Sequence, residues 1–386
     1  MQINEQIKLT SKQPDLKTSI FSIMSALAAK EKAINLSQGF PDFPCHPKLI
    51  ELMHRHMLKG NNQYAPMPGV ACLRENLVQK TENLYGAKYD PESEITITSG
   101  ATEALYAAIT AVVQPGDEVI IFEPWYDAYI PMIEYSGGKP VTIPLVLPDF
   151  RIDWQQVKHK INTKTRAIII NSPHNPTGAV LSEKDIQNLI QIVKTTDIIL
   201  ISDEVYEHII FDGFYHQSLA RFPELTERSF VISSLGKTFH ATGWKVGYCM
   251  APFELMKEFR KIHQFITFSI NTPAQYAYAD FLKEPEHYLE LPGFYQQKRD
   301  LFLNLTKESA FLPIENHGTY FQLMTYSAIS DENDIEFVRR LAIEHKIAAI
   351  PTSVFYRNGQ DNKIIRFCFA KKNETLEQAA EILCRI

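Results

Sequence analysis

EITITSGATEALYAAITAVV, residues 94–113, changes its periodicity in the middle. Residues 94–98 are a β-branched run that reads as a strand, and 101–113 carry apolar residues at helical spacing. Ser99 and Gly100 stand between them, where the chain must turn sharply from one element into the other. A strand that passes straight into a helix is the opening of an α/β unit. Working outward, further strand-like runs occur at 118–122, 140–143, 166–171, 197–202, 229–232 and 246–250, and a second helical stretch at 182–194. Several of these runs are apolar at consecutive positions, which suits strands covered on both faces. The expectation is an α/β fold: a large domain with a mostly parallel seven-stranded sheet covered by helices. Ligands in such sheets sit beyond the carboxyl ends of the strands.

Past residue 280 the texture changes. Residues 294–308 read as an amphipathic helix, and 318–324 and 363–369 as strands. Residues 375–385 read as a closing helix, with Thr375 and Gln378 placed as a capping box. This mixture predicts a smaller α+β domain. No Gly/Ser linker or repeat separates it from the rest, so a helix is expected to join the two.

Composition narrows the function classes. The 386 residues are 45% hydrophobic, 11% aromatic and 22% charged, an ordinary globular mixture that excludes a disordered chain or a coiled-coil rod. Lys+Arg 39 against Asp+Glu 45 leaves a net charge of −6, without the basic excess of a nucleic-acid binder. Five cysteines with no CxxC suggest neither a disulfide framework nor a zinc site, and no metal is expected. The first nineteen residues lack the apolar core of a signal peptide, and runs such as 167–170 and 197–201 are far too short to span a membrane. A cytoplasmic protein is expected.

Four segments then carry chemistry, each after a strand. In VISSLGKTFHATGWKVG (231–247), Lys237 lies between two near-apolar runs, where desolvation would depress its pKa and make it an amine nucleophile. ILISDEVY (199–206) ends an aliphatic strand on Asp203 and Glu204; a carboxylate there needs a partner, a cationic ring nitrogen or an ordinary salt bridge. NSPHNPTG (171–178) is a turn that presents the Asn175 amide beside Asp203, and Asn175–Pro176 is a candidate cis bond. Gly100, Ala101 and Thr102 open a helix whose free N–H groups make an anion site. Neither the Walker lysine loop nor the dinucleotide glycine fingerprint is present. Each segment alone admits a bland reading. Together they put an anion cradle, a lysine, a carboxylate and an amide at one end of one sheet.

Over essentially its whole length the chain resembles the class I aminotransferases, pyridoxal-phosphate enzymes of fold type I. The resemblance rests on LSQGFPDF (36–43), NQYAPMPG (62–69), SGATEALYAAI (99–109), FEPWYDAY (122–129), NSPHNPTG (171–178), SDEVYEH (202–208), SSLGKTFHATGWKVGY (233–248) and IIRFCFA (364–370). Within that family it most resembles the kynurenine/glutamine-K branch, bacterial methionine aminotransferases included. The resemblance implies pyridoxal 5'-phosphate as cofactor, with Lys237 as the Schiff-base lysine and Asp203 at the pyridine nitrogen. It places Tyr206 and Asn175 at the phenolic oxygen, and Gly100, Ala101, Thr102, Ser234 and Lys245 at the phosphate. Tyr126 matches the ring-stacking position, and Tyr64 the tyrosine that reaches the neighbouring subunit's phosphate, which implies a homodimer with composite sites. Arg366 matches the arginine for the substrate carboxylate, with the Gly39 backbone beside it and Asn175 also on the substrate side. Many relatives have arginine where Lys245 stands, so the phosphate would be met by a point charge rather than a bidentate fork.

With these positions the domains divide at 45–280 for the large cofactor domain, and at 1–44 plus 281–386 for the small domain closing over substrate. Phe21, Phe43, Tyr64, Tyr126, Phe268 and Tyr320 are candidates for an aromatic substrate pocket. Such a pocket suits methionine, phenylalanine, tyrosine, glutamine or kynurenine better than aspartate. The implied activity is transfer of an amino group from such an amino acid to a 2-oxo acid by a ping-pong route. A carbon–sulfur β-lyase acting on cysteine conjugates or cystathionine would use the same lysine and carboxylate. A cofactor-binding regulator without turnover is disfavoured, since only about 35 residues precede LSQGFPDF and the balance of charge is acidic.

Overall fold

The computed structural model describes residues 10–14 and 16–386. The reading of the first nineteen residues as lacking a leader falls mainly on residues outside this description.

Seven strands form the central sheet: β1 (Ile95–Thr98), β2 (Glu118–Glu123), β3 (Lys139–Pro144), β4 (Thr165–Asn171), β5 (Ile199–Asp203), β6 (Ser229–Ser234) and β7 (Gly247–Met250). Their order across the sheet is β1-β7-β6-β5-β4-β2-β3. Only β7 runs against its neighbours, β1 and β6; the other adjacent pairs are parallel. The alternation of side chains along each strand explains why consecutive positions in the central strands are apolar. Ile169, Ile201 and Phe230 enter one core cluster, while Ile168, Ile170, Leu200 and Val231 enter another on the opposite face. The helix Gly100–Val112 belongs to the first cluster through Ala104, Ala108 and Ile109. The helix Glu183–Thr195 belongs to the second through Ile186, Leu189 and Val193. Its start is fixed by a capping box between Ser182 and Asp185.

A four-stranded antiparallel sheet lies in the C-terminal region, in the order Ile350–Pro351, Ile364–Cys368, Phe321–Thr325, Leu312–Pro313. The short strand Ile34–Asn35 pairs in parallel with Ile347–Ala348, and the Cys368 N–H donates to the Leu36 carbonyl at 2.8 Å. These bonds lay Ser37 and Gly39 beside the strand that carries Arg366. The helix Leu291–Thr306 begins three residues earlier than its sequence pattern suggests.

The closing helix departs from expectation. It runs Asn373–Leu383 with Lys372 at the cap, so Thr375 lies inside the first turn and forms no capping box with Gln378. Asp42 supplies the cap instead: its Oδ1 accepts from the Lys372 N–H at 2.6 Å and its Oδ2 from the Thr375 hydroxyl at 2.7 Å. A carboxylate held at the helix N-terminus favours the macrodipole, and here it comes from more than three hundred residues away in the chain.

Candidate active site

The carboxyl ends of β4, β5 and β6 and the start of the helix after β1 converge on a cavity of about 290 Å³. Every residue that the resemblance assigns to cofactor or substrate borders it except Tyr64.

The floor holds the carboxylate. Asp203 is the last residue of β5 and is 3% exposed. Its Oδ2 accepts from the Tyr129 hydroxyl at 2.7 Å and its Oδ1 from the Val205 N–H at 3.3 Å. Burial pushes its pKa up to about 6, with these two hydrogen bonds pulling the other way. Asn171, at the end of β4, ties Asp203 to its neighbour: its Nδ2 donates to the Asp203 carbonyl at 2.9 Å and its Oδ1 accepts from the Asn175 N–H at 2.8 Å. The Asn175–Pro176 peptide within this turn is cis.

Lys237 stands in the short helix Leu235–Thr238, capped by Ser234, whose Oγ accepts from the Lys237 N–H at 3.2 Å. Its Nζ donates to the Gly39 carbonyl at 2.8 Å and to the Tyr320 hydroxyl at 3.0 Å. Burial lowers its pKa to about 8, and the cations Arg366 and Lys245 add to that, so roughly a tenth is a free amine at pH 7, far more than at its ordinary pKa. Tyr206 lies edge-on to Tyr320, with ring centres 5.1 Å apart.

The cradle is shaped by two glycines. Gly100 has φ +73°, and a Cβ there would come 3.2 Å from Lys245 Nζ, so the ammonium lies over the helix start. At Gly247 a Cβ would come 2.6 Å from the Ala101 nitrogen, so β7 presses directly on the first turn. The first turn of a thirteen-residue helix, Ser234 and Lys245 thus border one cavity, an arrangement suited to a phosphate. Tyr126 borders the cavity, and burial pushes its phenol up to about 12.

Arg366 closes the other side. It is 1% exposed, donates from Nη1 to Asn175 Oδ1 at 2.8 Å and from Nη2 to the Ser37 carbonyl at 2.9 Å, and leaves Nε without a partner. Its guanidinium centre is 3.8 Å from the Phe321 ring centre. No carboxylate pairs with it among the described residues, and burial lowers its pKa to about 10. Its charge is therefore not accounted for by a surface ion pair. An unpaired buried cation is costly unless an anion joins it.

The aromatic candidates separate. Phe21 and Tyr126 border the cavity, and Tyr320 meets Lys237 from behind. Phe43 does not border it, packing instead on His240 and Phe294. Tyr64 and Phe268 are 84% and 44% exposed and lie against each other, outside this cavity. Sequence reasoning passed over Tyr129, Asn171 and Phe321. Tyr129 and Asn171 stand within quoted motifs, and the position of Asn171 at a strand's carboxyl end was the available signal.

A family profile described as "Aminotransferase class I and II" matches residues 31–383. The chain is 54% identical over 374 residues to the methionine aminotransferase of Escherichia coli (strain K12), covering 97% of each sequence. It is 35% identical over 400 residues to the human kynurenine–oxoglutarate transaminase 3, covering 95% of this chain and 88% of that one. Among solved structures, an Escherichia coli methionine aminotransferase superposes with a TM-score of 0.96 at 52% identity, covering 99% of this chain and 100% of the other. The N-succinyldiaminopimelate aminotransferase of Mycobacterium tuberculosis superposes with a TM-score of 0.94 at 37% identity, covering 98% and 100%.

Proposed function

The chain belongs to the class I and II aminotransferases, and we propose that it moves the amino group of methionine or a related large, uncharged amino acid to a 2-oxo acid. The observation that carries this is the unpaired, buried Arg366 facing the same cavity as Lys237 and Asp203. An α-carboxylate is the anion that would complete it.

The residues present fit pyridoxal phosphate. Gly100 and Gly247 keep the cradle free of Cβ atoms, Lys245 supplies a cation there, and Asp203 is a buried carboxylate with a lone pair to spare for a pyridinium. When bound, the cofactor supplies an electron sink for the bonds at the substrate's Cα. The chain's own residues hold, orient and move protons. Gly100, Ala101, Thr102, Ser234 and Lys245 would hold the phosphate, and Tyr126 would cover the ring. Ionised Asp203 would keep the ring nitrogen protonated, while Asn175 and Tyr206 would donate to the phenolic oxygen. Arg366 would take the α-carboxylate with two charge-assisted hydrogen bonds, turning the Cα–H bond toward Lys237. Lys237, as a free amine, would accept that proton and return it on the far side of the transfer.

Substrate preference follows from the walls. Phe21, Phe40 and Tyr126 border the cavity, and among the described residues its only cations are Lys237, Lys245 and Arg366. A distal carboxylate such as that of aspartate therefore finds no further partner. The named relatives reported above are aminotransferases, which does not favour the β-lyase reading. A panel of amino donors with a 2-oxo acid tests the proposal: methionine and aromatic donors should exceed aspartate by at least tenfold in kcat/KM. Equal or faster release of pyruvate and ammonia from cysteine conjugates, without any oxo acid, would transfer the proposal to the lyase.

Assembly, domain division and location complete the reading. Leu58, Tyr64, Phe265 and Phe268 are 76%, 84%, 85% and 44% exposed, a large apolar contribution to the surface. A second copy of the chain would cover it, with Tyr64 reaching the partner's phosphate site; sedimentation as a monomer at micromolar concentration would overturn this. The large domain would span residues 45–280, and the small, substrate-closing domain residues 1–44 and 281–386. All five cysteines are free, and no helix among the described residues is long and apolar enough to cross a membrane. A cytoplasmic location fits the free thiols.

A further inference from the structure

Behind the cavity lies a charged group that the proposed chemistry does not use. Glu207 is 5% exposed and collects hydrogen bonds from several elements. Its Oε1 accepts from Lys80 Nζ at 2.7 Å, the Ser233 hydroxyl at 2.7 Å and the Tyr248 hydroxyl at 2.9 Å; its Oε2 accepts from the Tyr85 hydroxyl at 2.7 Å. Lys80 Nζ also donates to the Tyr248 hydroxyl at 3.1 Å, and the His208 Nε2 stands 3.6 Å from Oε2. Burial alone would push the Glu207 carboxyl up, but Lys80 and the surrounding donors hold it well below the usual range. Burial drives His208 the other way, to about 3, leaving it neutral.

The partners are placed in a telling way. Ser233 precedes Ser234, the cap of the Lys237 turn. Tyr248 follows Gly247, on which the first turn of the phosphate helix rests, and is the register partner of both Ser233 and Ile97. Glu207 itself follows Tyr206. One carboxylate therefore ties three backbone segments together; their adjoining residues Tyr206 and Ser234 border the cavity, and Gly247 backs the start of the phosphate helix.

We propose that Glu207 is a positioning residue for the cofactor site, locking Tyr206, Ser234 and the Gly247 contact into mutual register through Lys80, Ser233 and Tyr248. The inference rests on reading the cavity as a pyridoxal phosphate site. In a low-dielectric setting a fully satisfied network of this kind is rigid, and deleting one acceptor leaves several buried donors without a partner.

The test compares Glu207→Gln and Ser233→Ala with the wild type, and with Asp334→Asn as a destabilised control. Asp334 is a buried carboxylate bound to the Ser353 hydroxyl and N–H and does not border the cavity. Apoprotein is titrated with pyridoxal 5'-phosphate, following tryptophan fluorescence, and the visible absorbance of the bound cofactor is then titrated with pH. The Glu207→Gln variant should bind at least tenfold more weakly, and Ser233→Ala at least threefold, each with a displaced pH midpoint. Asp334→Asn should lower Tm yet keep both readouts. Wild-type affinity and midpoint in Ser233→Ala, whether or not Glu207→Gln folds, would overturn the inference, as would equal losses in the control. Failure of the wild type to bind pyridoxal phosphate would instead overturn the reading of the cavity itself.

Discussion

The Tyr129 hydroxyl donates to Oδ2 of Asp203 at 2.7 Å, so the one carboxylate on the floor of the cavity is held by a phenol that itself lies outside the cavity wall. The hydrogen bond favours the ionised carboxylate, against a burial effect that raises its pKa to about 6. Burial and the neighbouring carboxylate drive the Tyr129 phenol well above its ordinary value, so it stays a donor throughout the working pH range.

Replacing Tyr129 by Phe removes the donor while keeping the ring. A hydrogen bond to a charged group contributes roughly 1.5–3 kcal/mol, and one pKa unit corresponds to about 1.36 kcal/mol. The carboxylate should then titrate about one to two pH units higher. Since the ionised form is the useful one, the acid limb of kcat/KM should move up by that amount, with little change above pH 9. A pH–rate profile checks this, and an unmoved acid limb would dissociate Asp203 from the limb.

Lys237 carries opposite predictions for activity and stability. Replacing it by Met should reduce transamination by at least about a thousandfold, within the range lost with a general base and nucleophile. The apoprotein should meanwhile gain stability. The folded-state pKa, about 8, lies below the ordinary 10.5, so the charged form is disfavoured by folding. The associated penalty is fully present below pH 8 and fades as pH rises toward 10.5. Bonds to Gly39 and Tyr320 offset some of it, leaving a gain of about 1–2 kcal/mol at pH 7 for the variant. Thermal melts of the two apoproteins should draw together above pH 8 and cross before pH 10.5, because the bonds to Gly39 and Tyr320 remain when the charge penalty has gone.

Two glycines in the same motif should behave differently. At Gly247 an added Cβ meets the Ala101 nitrogen, the Gly100 carbon and the Ser233 carbonyl oxygen at 2.6, 2.7 and 2.9 Å, all backbone atoms that cannot step aside. At Gly243 it meets nothing within 4 Å. Gly247→Ala should therefore destabilise by about 2 kcal/mol or more and weaken pyridoxal phosphate binding, as overpacking does. Gly243→Ala should match the wild type in both. Equal effects at the two positions would contradict the close contact between β7 and the phosphate helix.

Much of the sheet was legible because its strands are apolar on both faces, a pattern that Ile168, Ile169 and Ile170 display without help from distant residues. What escaped depends on contacts between segments far apart in sequence. The closing helix takes its cap from Asp42, so its own residues misplace its start. Tyr129 looks like one more aromatic of FEPWYDAY until the fold sets it against Asp203. Phe321 looks like a core strand residue until Arg366 lies across it. Tyr64 and Phe268 lie away from the cavity, and a sequence pattern does not distinguish an aromatic that borders a cavity from one left exposed beside another.

Arg366 separates substrate binding from cofactor binding. Its guanidinium is held by Asn175 and the Ser37 carbonyl, lies on Phe321, and retains an unpartnered Nε. Two charge-assisted hydrogen bonds to a carboxylate contribute together about 3–5 kcal/mol, so Arg366→Met should lower kcat/KM for amino donors by roughly 10²–10⁴-fold. The loss should fall equally on methionine and phenylalanine, since both present the same α-carboxylate. Pyridoxal phosphate affinity should fall by much less, about tenfold at most, because of the proposed cofactor contacts only Asn175 is held by this side chain. The apoprotein should not lose stability, since an unpaired buried cation is replaced by an apolar chain of similar reach, a type of exchange that is often neutral or favourable. Arg366→Lys should recover only a fraction of the activity, because an ammonium cannot form the planar bidentate pair. A variant that loses cofactor and substrate affinity together would place Arg366 in the cofactor site instead.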